Sequence, residues 1–198
     1  MHGPSNPSAI IADSWRTILG ALGYDLTDPH LSGSPARVAD FLTRWHTHGK
    51  RIEAGDHATE LTAFPNETNG QKYDELVLMR GITFHSLCAH HSLPFFGVAH
   101  VGYLPGEKVI GVSKLARIVE HYARQFQVQE RLTVQIADCL MQELAPNGVA
   151  VVLEAEHMCV SMRGVRKPGH STVTSALRGG FRENQAARLE LLLLKGTK

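Results

Sequence analysis

The 198-residue sequence has no apolar run near the roughly 20 residues that are needed to cross a bilayer. Its longest apolar stretches are Val149–Leu153 and Leu191–Leu194. The N-terminal residues show no basic region followed by an apolar core, so we expect no secretory signal. We therefore predict a soluble protein without a membrane partner.

The net charge and the number of cysteines are also small. The net charge is +1, so no strong overall field favours nucleic acid as a partner. Three cysteines are an odd number, which argues against a disulfide framework and favours a reducing cytoplasm. With 43% hydrophobic and 20% charged residues, the chain is typical of a globular protein with one sizeable core.

The first part of the chain, residues 1–70, is predicted to be an N-terminal helical region. Apolar residues recur at helical spacing from Ile10 to Leu22, and a second helix is predicted to open at Ser34 with Pro35 behind it. The segment Gly49–Gly70 is polar and irregular, so we predict a loop that packs against a partner subunit.

Residues 71–198 carry a different pattern, in which strands and helices follow in blocks. The predicted strands are Glu75–Cys88, Pro94–Leu104, Gly148–Val165 and Thr172–Phe181. Three helices are predicted: one begins at Ser113, the second spans Gln129–Leu144, and the last spans Asn184–Lys195. Two strands, two helices and two strands in that order predict an α+β fold with an antiparallel sheet.

Two short segments hold the residues with the most distinctive chemistry. Cys88-Ala89-His90-His91 and His157-Met158-Cys159 together offer two thiols and three imidazoles. Two cysteines and one histidine make a three-ligand zinc site with an open fourth position, which is typical of a hydrolase. The alternative is that both cysteines are small core residues, and for Cys139 on an apolar helix face we prefer that interpretation.

His90 and His157 each neighbour a candidate ligand, and we predict general acid–base work for them, with simple packing as the alternative. Adjacent strand residues face opposite ways, so His90 needs an irregular backbone to share a pocket with His91. His157 lies two residues before Cys159 on the predicted strand and therefore shares its face.

Several basic and acidic residues lie near the predicted helix starts and are candidates for binding an anion and a polar ring edge. Lys114 and Arg117 fall on the first turn of a helix, and Arg163 follows the predicted zinc strand, so they indicate an anion site or else a common charged surface. Glu130 can accept two hydrogen bonds from a guanine-like edge, or it can be an acid favoured by the helix dipole.

Two other classes of zinc protein fit poorly. The pattern of a nucleobase deaminase, His-x-Glu with Pro-Cys-x-x-Cys, is not in the sequence. A structural zinc module would need a fourth ligand, and it would unfold without the metal.

Several longer motifs resemble the GTP cyclohydrolase I family, in order, from about residue 76 to 183, with a weaker match at Ser34–Ala39. These motifs are Ser86–His91, Leu93–Gly97, Val109–Val119, Gln127–Thr133, Glu156–Cys159, Met162–Gly169, Thr172–Ala176 and Phe181–Glu183.

The resemblance implies a tunnelling fold for residues 71–198, with an antiparallel sheet, two helices on one face and a toroidal homodecamer whose sites lie between subunits. It implies zinc on Cys88, His91 and Cys159. The implied reaction opens the imidazole ring of GTP at carbon 8, releases formate and forms 7,8-dihydroneopterin triphosphate, a step of pterin and tetrahydrofolate biosynthesis.

The resemblance also implies a role for each remaining site residue. His90 and His157 would transfer protons, Glu130 with Gln129 would hold the guanine edge, and Ser113 would contact the ribose chain. The triphosphate would be bound by Lys114, Arg117, Arg163 and, from a neighbouring subunit, Arg37.

Three places depart from the family pattern, and one of them is Asn184–Ala187, which replaces the acidic Asp-Pro stretch that usually follows Glu183 in the family. Ala89 stands where the family usually has Glu, and His170 stands where a small hydroxyl residue is commoner. They raise the alternative of a paralogue that hydrolyses a related or modified purine or stops at a ring-opened formamide. A non-catalytic purine or pterin sensor is a separate alternative, against which the retained ligands and both spare histidines argue.

Overall fold

The computed structural model of the protein describes residues 6–53, 62–67 and 69–196, and within them it describes no side chain of residues 46–53. The chain divides into two compact units, Met1–Arg51 and Ile52–Lys198. The functional division predicted at residue 70 stays a prediction. No helix among the described residues is long and apolar enough to cross a bilayer.

The first unit contains α1 (Pro7–Ala21) and most of α2 (Ser34–Glu53), which confirms both predicted N-terminal helices. α1 begins before Ile10 because the Asn6 side chain accepts a hydrogen bond from the amide of Ser8, and because proline is favoured at the first helical position.

The predicted loop Gly49–Gly70 is wrong in part. α2 continues to Glu53, and β1 (Ala63–Pro65) pairs antiparallel with β4 (Lys108–Ile110). Residues 54–61 and 68 of that segment lie outside the described residues. The sequence pattern did not predict β1, because a strand of three residues is too short to show an alternation of polar and apolar side chains.

The second unit is built on a five-stranded sheet in the order β5-β2-β3-β6-β7. Its strands are β2 (Val77–Cys88), β3 (Pro94–Leu104), β5 (Phe126–Gln127), β6 (Gly148–His157) and β7 (Thr172–Gly179). All neighbours pair antiparallel except β2 and the two-residue β5, which are parallel. The α+β class with an antiparallel sheet is therefore confirmed.

The two long helices, α3 (Val112–Ala123) and α4 (Gln129–Leu144), cover one face of this sheet as predicted. Their apolar faces join alternate strand residues such as Val149 and Val151 in the main core. Because neighbouring strand residues point to opposite faces, Ala150 belongs to a second, smaller cluster. That cluster includes Leu191 of α7 (Gln185–Lys195), which is preceded by the short α6 (Gly180–Glu183).

The predicted strand Gly148–Val165 is wrong beyond His157. Its last part forms a single helical turn, α5 (Met158–Ser161). The last pairs are Phe95 with His157 on one side of β6 and Thr172 with Ala155 on the other. Beyond these pairs, the described residues include no further strand partner for this segment. Its backbone groups form local hydrogen bonds instead, such as the one that Met162 N–H donates to Met158 O.

Candidate metal and nucleotide site

Cys88 ends β2 and begins a tight turn that carries both histidines. The amide of Cys88 donates to Leu93 O at 2.8 Å, and the amide of Ser92 donates back to Cys88 O at 2.8 Å. Ser92 has a left-handed φ of 55°, which closes the turn. This is the irregular backbone that His90 requires, and both His90 and His91 line one cavity with Cys88.

Three candidate metal-ligand atoms lie close together beside this turn. Cys88 Sγ lies 3.7 Å from His91 Nδ1 and 4.0 Å from Cys159 Sγ, and all three ligand atoms lie within 4.8 Å of one another. Tetrahedral zinc bonds of about 2.0–2.3 Å hold such atoms about 3.5–3.8 Å apart. The donor set therefore fits a metal ion after small side-chain movements.

Cys159 reaches this cluster from α5 and not from a strand, so the predicted strand alternation between His157 and Cys159 is wrong. Burial, followed by the neighbouring thiol of Cys88, raises the pKa of Cys159. A cation between the two sulfurs would reverse that effect, because it favours the thiolates.

The ring of His157 is held on two sides. It stacks on Phe95 with centroids 4.6 Å apart and planes 2° apart, and its Nε2 lies 2.7 Å from Gln129 Oε1. The amide nitrogen of Gln129 donates to Leu153 O and Thr172 O, so its oxygen must be the acceptor. His157 Nε2 therefore carries a hydrogen, and Nδ1 is the nitrogen left for proton exchange.

The pKa of His157 lies below its ordinary value because burial disfavours the imidazolium and His170 adds repulsion, while Glu130 opposes the shift. The unfolded chain, with a histidine pKa of about 6.5, binds that proton more readily. We therefore expect the metal-free protein to lose stability as the pH falls below about 6.5 and through the folded pKa.

Urea unfolding of metal-free wild type and His157→Gln from about pH 8 to 5 measures this effect. The stability advantage of wild type should shrink toward low pH, because glutamine does not titrate. A difference that stays constant over the range would contradict the expected shift.

The cavity beside the cluster has a volume of about 210 Å³. Of the predicted site residues it brings together Cys88, His90, His91, Gln129, Glu130, His157 and Cys159. Glu130 is exposed on the first turn of α4, whereas Gln129 is buried at 2% exposure. Gln129 is held by burial and by the hydrogen bonds that its amide nitrogen donates, and its oxygen contacts His157. The sequence alone did not suggest this contact.

The predicted ribose and phosphate residues do not join this set. The described residues that line the cavity do not include Ser113, Lys114, Arg117 or Arg163. The structure places the first three on α3, where Ser113 lies inside the first turn and Gly111 is the N-cap, and Arg163 after α5. Arg37 belongs to the other unit, where its Nη2 lies 3.5 Å from His30 O.

Sequence reasoning missed several residues of the cavity and its walls. Gln127, Val128, Val160 and Thr172 line it, and Phe95 supports His157 from behind. Phe95 is the register partner of His157, so knowing how β3 pairs with β6 would have identified it. Gln127, Val128 and Thr172 lie within the family motifs, but nothing in those motifs marked them as cavity residues, and Val160 lies just outside them.

A family model described as GTP cyclohydrolase I matches residues 11–195. GTP cyclohydrolase 1 of Corynebacterium glutamicum is 49% identical over 181 residues, covering 90% of this chain and 88% of that protein. The Bacillus subtilis GTP cyclohydrolase 1 is 48% identical, covering 92% of each chain.

The Gloeobacter violaceus GTP cyclohydrolase 1 is 51% identical over 187 residues, covering 91% of this chain and 81% of that protein. A crystal structure of the archaeosine synthase QueF-Like in the apo form covers 55% of this chain and 98% of its own, with a TM-score of 0.46 and 19% identity. That last likeness is too distant to bear on activity. The family match and the close relatives agree along most of the sequence, and this chain belongs to the GTP cyclohydrolase I family.

Proposed function

We propose that the protein hydrolyses the imidazole ring of GTP at carbon 8, releases formate and forms 7,8-dihydroneopterin triphosphate. The observation that carries the proposal is one cavity in which Cys88, His91 and Cys159 converge beside His90 and His157. Close relatives at about half identity carry the name GTP cyclohydrolase 1, which supports GTP as the substrate.

The metal that fits best is zinc, held by Cys88, His91 and Cys159. Two thiols and an imidazole suit zinc better than the hard cations, which prefer oxygen ligands. Zinc in a three-ligand site supplies Lewis acidity and activates water near neutral pH.

The chain's own side chains would divide the remaining work. His157 would exchange its proton at Nδ1, because Nε2 is committed to Gln129. His90, whose Nδ1 lies 4.0 Å from Cys88 Sγ, would serve as the second proton-transfer group on the ligand side. Glu130, on the cavity wall, would accept hydrogen bonds from the amino and ring N–H groups of guanine.

The rest of the substrate needs residues that this cavity does not contain. A triphosphate carries a charge near −4 and requires several cations. We propose that Ser113 contacts the ribose chain and that Lys114, Arg117, Arg163 and Arg37 bind the phosphates, contributed in part by neighbouring copies. A toroidal homodecamer of the family type would supply them, and β7 offers an edge with Val173 58% exposed for such contacts.

The reducing cytoplasm is the compartment that suits this site, since oxidation of the two cysteines would remove both sulfur ligands. Cys88 and Cys159 are free thiols whose sulfurs lie 4.0 Å apart.

The test is incubation of zinc-loaded protein with GTP while formate and pterin are followed together. We expect equal amounts of both, lost on metal removal and restored by zinc. Formate without pterin, or a formamide alone, would replace the proposal by the truncated reaction that Ala89 suggests, and Ala89→Glu would then be made first. Tight GTP binding with no product would favour the sensor instead.

A further inference from the structure

His170 lies on the loop between α5 and β7 and occupies the position of a missing strand partner. The β6–β7 ladder ends with Ala155 opposite Thr172, so the same antiparallel register places residue 170 opposite His157. No main-chain pair is formed there. Instead, the amide of His157 donates to Nε2 of the His170 ring at 3.3 Å.

A second hydrogen bond fixes the chemical form of this ring. His170 Nδ1 lies 2.8 Å from Lys167 O, and a carbonyl can only accept, so Nδ1 carries the hydrogen. Nε2 then keeps its lone pair and accepts from His157. A single neutral tautomer satisfies both contacts, and it ties the end of β6 to the loop.

This hydrogen bond holds the main chain of His157, and the position of the His157 ring depends on that main chain. His157 is the last residue of β6, directly before the turn that carries Cys159. Phe95 and Gln129 hold the ring, but neither holds the main chain on the β7 side. An amide without an acceptor at this position would let the strand end fray.

We propose that His170 is a positioning residue for proton transfer: its imidazole substitutes for the absent strand partner and holds the main chain of His157 in register. The inference rests on the proposed function for its catalytic consequence. Its structural part, the hydrogen bond to the amide of His157, can be tested without substrate.

Two isosteric substitutions separate the two hydrogen bonds of the ring. His170→Gln places an oxygen near the position of Nε2 and so keeps an acceptor for the amide of His157. His170→Asn places an NH₂ group near the position of Nδ1 and keeps the donor to Lys167 O, but it leaves that amide without an acceptor. Both variants remove the imidazole and are therefore matched.

We expect His170→Gln to keep kcat within about 3-fold of wild type and His170→Asn to lose about 10- to 100-fold, a fraction of what a general acid–base group contributes. KM for GTP should be unchanged in both, because substrate contacts are intact. Hydrogen exchange at the His157 amide should be faster in His170→Asn than in wild type or His170→Gln, and zinc content should be equal in all three.

Equal kcat or equal His157 exchange in the two variants would overturn the proposal, and so would a loss confined to KM or to zinc content. If wild type does not turn over GTP, the proposed function fails separately. The exchange rates then still decide whether His170 holds the amide of His157.

Discussion

Replacing Cys159 with alanine is expected to abolish both metal binding and activity. The three ligand atoms of Cys88, His91 and Cys159 lie within 4.8 Å of one another, and the change leaves one sulfur and one nitrogen. Removing a side chain that only hydrogen-bonds to a metal ligand costs about 10–100-fold in metal affinity or activity, so removing a ligand itself costs more. We expect a loss of at least about 100-fold in formate release, with zinc content measured on the same sample.

The chain supplies its own matched control in its third cysteine. Cys139 lies on α4 at 8% exposure, where burial raises the pKa of its thiol, and the cavity lining does not include it. Cys139→Ala should cost about 1 kcal/mol of packing and keep zinc and turnover. Full zinc occupancy and wild-type turnover in Cys159→Ala would remove Cys159 from the metal site.

Replacing Gly97 with alanine is expected to give the largest loss of stability. A Cβ at this position would lie 1.9 Å from Glu154 O and 2.7 Å from the Cα of Ala155, both main-chain atoms of the neighbouring strand. β3 lies between β2 and β6, so it cannot move away from one neighbour without disturbing the other. We expect the free energy of unfolding to fall by about 3–5 kcal/mol.

The same clash would reach the site, because Phe95 lies two residues before Gly97 and pairs with His157. Urea unfolding followed by circular dichroism measures the stability, and zinc content reports on the site. Gly20→Ala is the control, since a Cβ there meets nothing within 4 Å and alanine favours a helix by about 1 kcal/mol. A Gly97→Ala protein within about 1 kcal/mol of wild type would contradict the expected clash.

Local patterns predicted much of the fold. The strand Pro94–Leu104 and the helix Gln129–Leu144 have the bounds that periodicity indicated. Such elements are long enough for apolar residues to recur several times. Their ends are marked in the sequence by a turn residue or by the first residue of a helix. Short elements such as β5 and α5 escaped because two to four residues carry no period.

The candidate metal site was visible for a similar reason. Cys88 and His91 lie three residues apart on one turn, so their proximity depends on local backbone alone. Cys159 was chosen by residue type and motif, although the predicted strand was the wrong support for it.

The sequence by itself determined the long helices, the positions of the long strands, the α+β class and the residue types able to hold a metal. Only the tertiary structure decided which partners hold His157. Phe95, Gln129 and His170 come from three separate segments, and they meet through strand register and the packing of α4 on the sheet. Register is a long-range property, since it depends on which segments pair, and no local spacing in the chain records it.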